Sequence, residues 1–172
     1  MFLELIATVI AGIAAAGLVM LLIRAGVGLP RWTMPVVAGL AMIGATITSE
    51  YGWYDRTRAG LPDGLAVVDT VESRMPYRPW TYLFPYVDRF AALDTATLKR
   101  NPARPGERIG DLYFFGRWQA VQKLPVLLDC TGRRRASLVD GATFDADGAV
   151  TDARWVEAGA DDPILAAGCG AA

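Results

Sequence analysis

The chain has 172 residues, 53% of them hydrophobic, which leaves room for one small domain beside its apolar segments. Its 17 basic and 18 acidic residues nearly cancel, so no overall field draws it to nucleic acid and no such partner is expected. Histidine is absent, which excludes every mechanism resting on an imidazole base and removes the commonest zinc ligand.

Phe2 to Ile23 carries one charge, Glu4, and otherwise runs through apolar and small residues for the ~20 positions a helix needs to cross a bilayer. A cleaved signal peptide fits poorly. No basic region precedes the run, its apolar core is too long, and Arg24 stands where a small-residue cleavage site is required. Thr33 to Thr48 is shorter and contains Pro35, which the first turn of a helix tolerates; its alternative reading is a buried core helix. The short loop from Arg24 to Arg31 makes the pair a transmembrane helical hairpin over residues 1–50, with the lipid bilayer as a partner.

Arg24 and Arg31 place that loop in the cytoplasm and both termini outside it, although Arg56 and Arg58 weaken the preference of the second helix alone. Trp32 at one end, and Tyr51, Trp53 and Tyr54 at the other, suit an aromatic belt at headgroup depth. Ala11 and Ala15, Gly12 and Ala16, and Ala41 and Ala45 are each spaced four apart. Such faces permit close helix approach, within the hairpin or to another subunit, but small residues are also simply common in spans. No ionisable residue lies mid-span, so neither a proton relay nor an intramembrane cofactor ligand is expected.

Residues 51–64 read as a membrane-proximal linker ending in the turn-forming Gly60-Leu61-Pro62-Asp63-Gly64. Residues 65–172 read as a small, mainly antiparallel β (α+β) soluble domain. Leu65 to Glu72 is Val-rich and bounded by turn residues, which predicts a strand. Trp80, Tyr82, Phe84 and Tyr86 alternate, which predicts a strand over 80–90 with one aromatic face, at an edge or broken near Pro85. Periodicity leaves Arg89 to Leu98 open between strand and short helix. Asn101 to Gly106 reads as a loop, Asp111 to Val121 and Leu124 to Asp129 as strands, and Arg133 to Val139 as the next strand after a turn at Thr131-Gly132. Asp147-Gly148 signals a hairpin joining Ala142–Phe144 to Ala149–Val156. Asp145 and Asp147 also mimic the opening of a calcium loop, but the later ligands are missing, so no metal site and no cofactor are expected. The segment from Gly159 onward would fray unless something held it.

Leu127-Leu128-Asp129-Cys130, then a turn and Arg133-Arg134-Arg135, then Phe144-Asp145 with Asp147-Gly148, Trp155 and Cys169, resembles the surface-adhesin protein E domain of Gram-negative bacteria. That resemblance implies a small antiparallel sheet in which the Asp-Cys strand end is tied by a disulfide to a late cysteine, here Cys130 to Cys169. Members usually follow a cleaved signal, whereas this chain carries two spans, and residues 74–108 have no counterpart. The topology read above puts both cysteines in an oxidising compartment, which agrees with the pairing.

Asp129 could be imagined activating the Cys130 thiol, but a neighbouring carboxylate raises a thiol pKa, so a structural disulfide is favoured over a nucleophile. Arg133, Arg134 and Arg135 suit either an acidic partner or a solvated turn. Arg74, Arg78, Arg89 and Arg117 lie among Tyr77, Trp80, Tyr82, Tyr86 and Trp118, a mixture that interfaces enrich and that a small sheet also uses as core and rim. The candidate partner-binding residues are therefore Arg74, Arg78, Trp80, Tyr82, Arg117, Trp118 and Arg133 to Arg135. No catalytic residue is nominated. The expected role is that of a non-enzymatic interaction or accessory module on the bacterial inner membrane, its domain periplasmic, with a membrane or periplasmic protein partner. Two alternatives are a supernumerary or assembly subunit of a larger membrane complex and an enzyme of unrecognised type.

Overall fold

The computed structural model describes residues 2–102, 104–138, 143, 145, 150–159 and 161–170. They form two compact units, residues 1–53 and 54–172.

The first unit is a helical hairpin. Helix α1 (Phe2–Arg24) and helix α2 (Thr33–Tyr51) are each long and apolar enough to cross a membrane. Little of either is buried within the chain, as expected of helices whose solvent is lipid. Among the glycines of the two helices, Gly12 is at a close approach: a Cβ built there would lie 2.8 Å from Cγ of Met42. One of the small-residue positions is therefore used inside the hairpin. At the open end of the hairpin Ser49 Oγ donates to Glu4 Oε1 at 2.8 Å, so the one carboxylate of α1 is tied to α2.

The second unit is an antiparallel sheet with a helix on one face. Short helix α3 (Trp53–Ala59) occupies half of the stretch read as a linker, and it leads through Gly60–Gly64 into β1 (Leu65–Ser73). Gly64 has φ +101°, and a Cβ there would lie 2.7 Å from Cβ of Ala96, so this turn requires glycine. The remaining elements are β2 (Tyr86–Asp94), β3 (Lys99–Asn101), β4 (Arg104–Gly116), β5 (Gln119–Asp129), β6 (Arg134–Ser137), β7 (Val156–Glu157) and α4 (Pro163–Gly170). The sheet order is β1-β2-β4-β5-β6-β7, with β3 beside β4, and every pairing is antiparallel. The hairpin and the antiparallel α+β domain agree with the fold class read from the sequence.

Several elements differ from that reading. Residues 80–90 are not one strand: Pro79–Tyr82 forms a 3-10 turn and β2 begins only after Pro85. The buried Thr81 fixes this turn, its Oγ1 accepting from Met75 N–H at 2.9 Å and donating to the Arg78 carbonyl at 2.8 Å. The alternating aromatics thus come from a turn whose side chains splay. Residues 89–94 continue as strand, and Asp94 Oδ1 then accepts from the Ala96 and Thr97 amides to end it. The span 111–121 contains a strand end, a two-residue turn at Arg117-Trp118 and the next strand, with Gly116 paired to Gln119. The supposed loop at 101–106 is mostly ladder, Asn101 pairing with Arg104. The Asp147-Gly148 turn lies outside the described residues; beside it, Thr151 N–H donates to the Thr143 carbonyl at 3.0 Å. The segment after Gly159 carries α4, capped by Asp162, whose Oδ1 accepts from the Ile164 and Leu165 amides at 2.9 and 3.1 Å.

Helix α4 completes the core. Ile164 and Leu165 join Val68, Ala91, Leu93, Leu112, Val126 and Leu128 in one buried cluster. The fit requires Gly168, since a Cβ there would come within 2.2 Å of Leu128 Cδ1. Arg108 of β4 donates through Nη1 to the Gly168 carbonyl at 2.6 Å, satisfying a terminal helix acceptor. Beyond it, Cys130 and Cys169 form a disulfide with Cα atoms 5.7 Å apart. This is the pairing the adhesin resemblance implies. On the opposite face Phe90 stacks on Phe115, centroids 4.7 Å apart, and meets Tyr54 of α3 edge-on at 5.5 Å.

Candidate interaction surface

Strand register sorts the candidate residues between the two ends of the sheet. At one end Ser73 pairs with Tyr86, Arg89 pairs with Gly116, and Arg117 N–H donates to the Asp88 carbonyl at 3.1 Å. The β1–β2 connection, with Arg74, Arg78, Trp80 and Tyr82, therefore lies at the same end as the β4–β5 turn, with Arg117 and Trp118. Six of the nine nominated residues are gathered there.

The other three are at the far end or on the edge next to it, and two of them have structural roles. Arg133 occupies the β5–β6 turn with φ 49°, a conformation few non-glycine residues adopt. Arg134 Nε donates to Asp129 Oδ2 at 2.8 Å while its guanidinium lies over the Trp155 ring, 4.4 Å from the centroid. Arg135 Nε reaches Asp162 Oδ2 at 3.4 Å, which ties β6 to the cap of α4.

Asp129 is the hub of this far end. Burial alone would raise its carboxyl pKa, but hydrogen bonds from Gly132 N–H, the Arg134 side chain and Thr131 N–H outweigh that and hold it below the ordinary 3.8. A depressed folded-state value contributes stability that is present above the unfolded pKa and is lost as pH falls through the folded one. Asp129→Asn is therefore expected to cost about 1–2 kcal/mol near neutrality and progressively less below about pH 4. Urea unfolding at pH 7 and pH 3 checks this; an equal cost at both would refute the charge argument.

The first end has a concave part and a protruding part. The half of the sheet face beyond α4 forms a groove of about 240 Å³ lined by Asp69, Val71, Arg89, Ala91, Phe114 and Gln122. Val71 and Phe114 remain 43% and 40% exposed in it. Beside the groove the β4–β5 turn presents Trp118, 66% exposed, with the Arg117 guanidinium 5.2 Å from its ring centroid and Arg117 itself buried. Lys123 of β5 meets Asp111 at 2.8 Å, and that carboxylate is the main cause of its raised pKa. The arrangement offers a groove for an apolar side chain, a carboxylate and a guanidinium at its wall, and an aromatic anchor at its rim.

The sequence reading did not nominate Val71 and Phe114, which line the groove. The Phe114-Phe115 pair held a usable clue, because adjacent strand residues face opposite sides and two large aromatics must then serve two surfaces. Among the described residues no cluster of three or more metal-ligating side chains occurs. No family model, curated protein or solved structure matches the chain, so the likeness to the adhesin E domain rests on its residues alone.

Proposed function

We propose that this chain is a non-catalytic interaction or accessory module anchored in a bacterial inner membrane, with both termini and the soluble domain on the periplasmic side. Its groove and the adjoining Arg117-Trp118 turn receive a membrane or periplasmic protein. The observation that carries this reading is the exposed Trp118 set over a buried Arg117 at the rim of an apolar groove, since a rigidly held aromatic beside arginine is the chemistry of binding hot spots. The Cys130–Cys169 disulfide supports an oxidising compartment. Arg24 and Arg31 between the two apolar helices support the cytoplasmic side for their loop. An Asp-Cys strand end tied to a late cysteine on an antiparallel sheet supports kinship with the adhesin E domain.

The test is an unbiased pull-down of the tagged full chain after mild solubilisation, compared with Trp118→Ala. A specific protein retained by the native chain and lost by at least about tenfold in the variant is expected, given the typical energy of an aromatic anchor. Capture of a whole membrane complex through the hairpin alone, unaffected by Trp118, would favour the assembly-subunit reading instead. In the same strain, a reporter fused after Ala172 should be active only where it requires the periplasm, and activity of a cytoplasmic reporter alone would reverse the topology.

A further inference from the structure

We propose that the β1–β2 connection, residues 74–85, is a bilayer-contacting loop that sets Tyr77, Trp80, Tyr82, Leu83 and Phe84 into the headgroup region of the membrane holding α1 and α2. The inference rests on the membrane placement given above and assigns this part of the surface to lipid.

Chemistry is the first argument. Five large apolar or amphipathic residues fall within eight positions of a connection, and they are between 42% and 79% exposed. A loop surrounded by water is ordinarily polar, and a contiguous apolar patch marks an interaction site. Tryptophan and tyrosine favour the headgroup layer, where the ring leaves water and the polar atom stays wet, while Leu83 and Phe84 suit the acyl boundary beneath.

The backbone is the second. A segment entering a low-dielectric layer must satisfy its own peptide groups. Here Arg78 N–H donates to Met75 O, Thr81 N–H to Arg78 O, and both Leu83 and Phe84 N–H to Trp80 O. Pro79 and Pro85 have no N–H to satisfy. The Thr81 side chain, fully buried, locks the turn from within. The loop thus satisfies several of its own peptide groups while its large side chains remain exposed.

Placement is the third. The peptide chain from Tyr51, the last residue of α2, to Tyr54 is three residues long and spans at most about 11 Å. Tyr54 packs on Phe90, and Phe90 lies four residues into β2, roughly 13 Å from the strand start that the loop feeds. From Tyr54 the chain runs through α3 to Leu65, which pairs with Asp94 at the sheet end away from this loop. Covalent connectivity therefore permits the loop to reach the headgroups. A protein partner would have to be recruited there, whereas the bilayer is always present at high effective concentration.

The experiment uses the full chain in phosphatidylethanolamine and phosphatidylglycerol liposomes, with benzoylphenylalanine replacing Tyr82 or Leu83, and Val156 on β7 as the exposed control. Irradiation followed by peptide mass spectrometry is expected to give phospholipid adducts at both loop positions and none at Val156. A probe at Leu83 that reacts with a second copy of the chain, or with no lipid at all, would overturn the proposal. As a measurement on a near-native chain, brominated lipid should quench tryptophan fluorescence less in Trp80→Phe than in the native protein; equal quenching would also overturn it. Loss of Trp118-dependent protein capture with lipid adducts intact would sink the interaction reading alone. A protein adduct at Leu83 in native membranes would sink the lipid contact alone.

Discussion

Cys169→Ser is expected to lower the melting temperature of the soluble unit by roughly 10–15 °C, the largest effect of any single change considered. The two cysteines are 39 residues apart in sequence. Closing a loop of that size restricts the unfolded chain by about 4 kcal/mol in the chain-entropy treatment, against a total of ~5–15 kcal/mol for a domain. The bond also pins α4, an eight-residue helix too short to persist unaided, onto the buried faces of β1, β2, β4 and β5. Thermal melts of Cys169→Ser, and of the native protein with and without reductant, test this, with limited proteolysis near Gly159 as the structural readout. A variant melting within a degree or two of the native chain would show that packing alone seats α4. Reductant should reproduce the variant's loss in the native protein and leave the variant unchanged.

Leu128→Ala is expected to destabilise the same unit by about 3 kcal/mol, within the range for emptying a well-packed leucine site. Leu128 is fully buried, pairs in register with Arg135 across β6, and its Cδ1 fills the space over Gly168. Removing it leaves a void between sheet and helix that cannot collapse easily, because the disulfide and the Arg108 bond to Gly168 hold α4 at fixed separation. Urea denaturation should show a lower midpoint with an unchanged slope. A cost below about 1 kcal/mol would mean that α4 settles into the space, and the cavity argument would fail.

The legible features were those with a strong local cause. Two apolar runs joined by a short loop favoured a helical hairpin over a signal peptide or a core helix, and a Val-rich run closed by turn residues gave β1 almost to the residue. The elements that went astray were decided by tertiary contacts. Alternation of Trp80, Tyr82, Phe84 and Tyr86 matched a strand period, but a buried threonine hydroxyl closing on Met75 and Arg78 converts that stretch to a turn, and no pattern of hydrophobicity reports such a bond. The β4–β5 turn at Arg117-Trp118 has neither Asn-Gly nor Asp-Gly to announce it, so the boundary between the two strands was read at 122–123 instead of 117–118. Helix α4 was hidden because it is short and ends in Gly168, Cys169 and Gly170, which are poor helix formers; only the Asp162 cap preceding Pro163 could have revealed it. The aromatic and arginine residues nominated from the sequence fall in two separate places on the sheet. Their division into an exposed end and an Asp129-centred structural knot depended on strand register, which composition does not encode.

Helix α4 follows every strand it covers, with about seventy residues between the end of β2 and its own start. During synthesis the apolar face carrying Leu93, Leu112 and Leu128 is therefore assembled first and stands open until the latest element arrives. Closure over so long a separation is slow relative to pairing of neighbouring hairpins. Cys130 emerges beside that open face and must wait for Cys169, which makes oxidation a record of completed docking. Under reducing conditions the sheet would lose the covalent tether that holds its lid, and its apolar face would be open to other apolar surfaces.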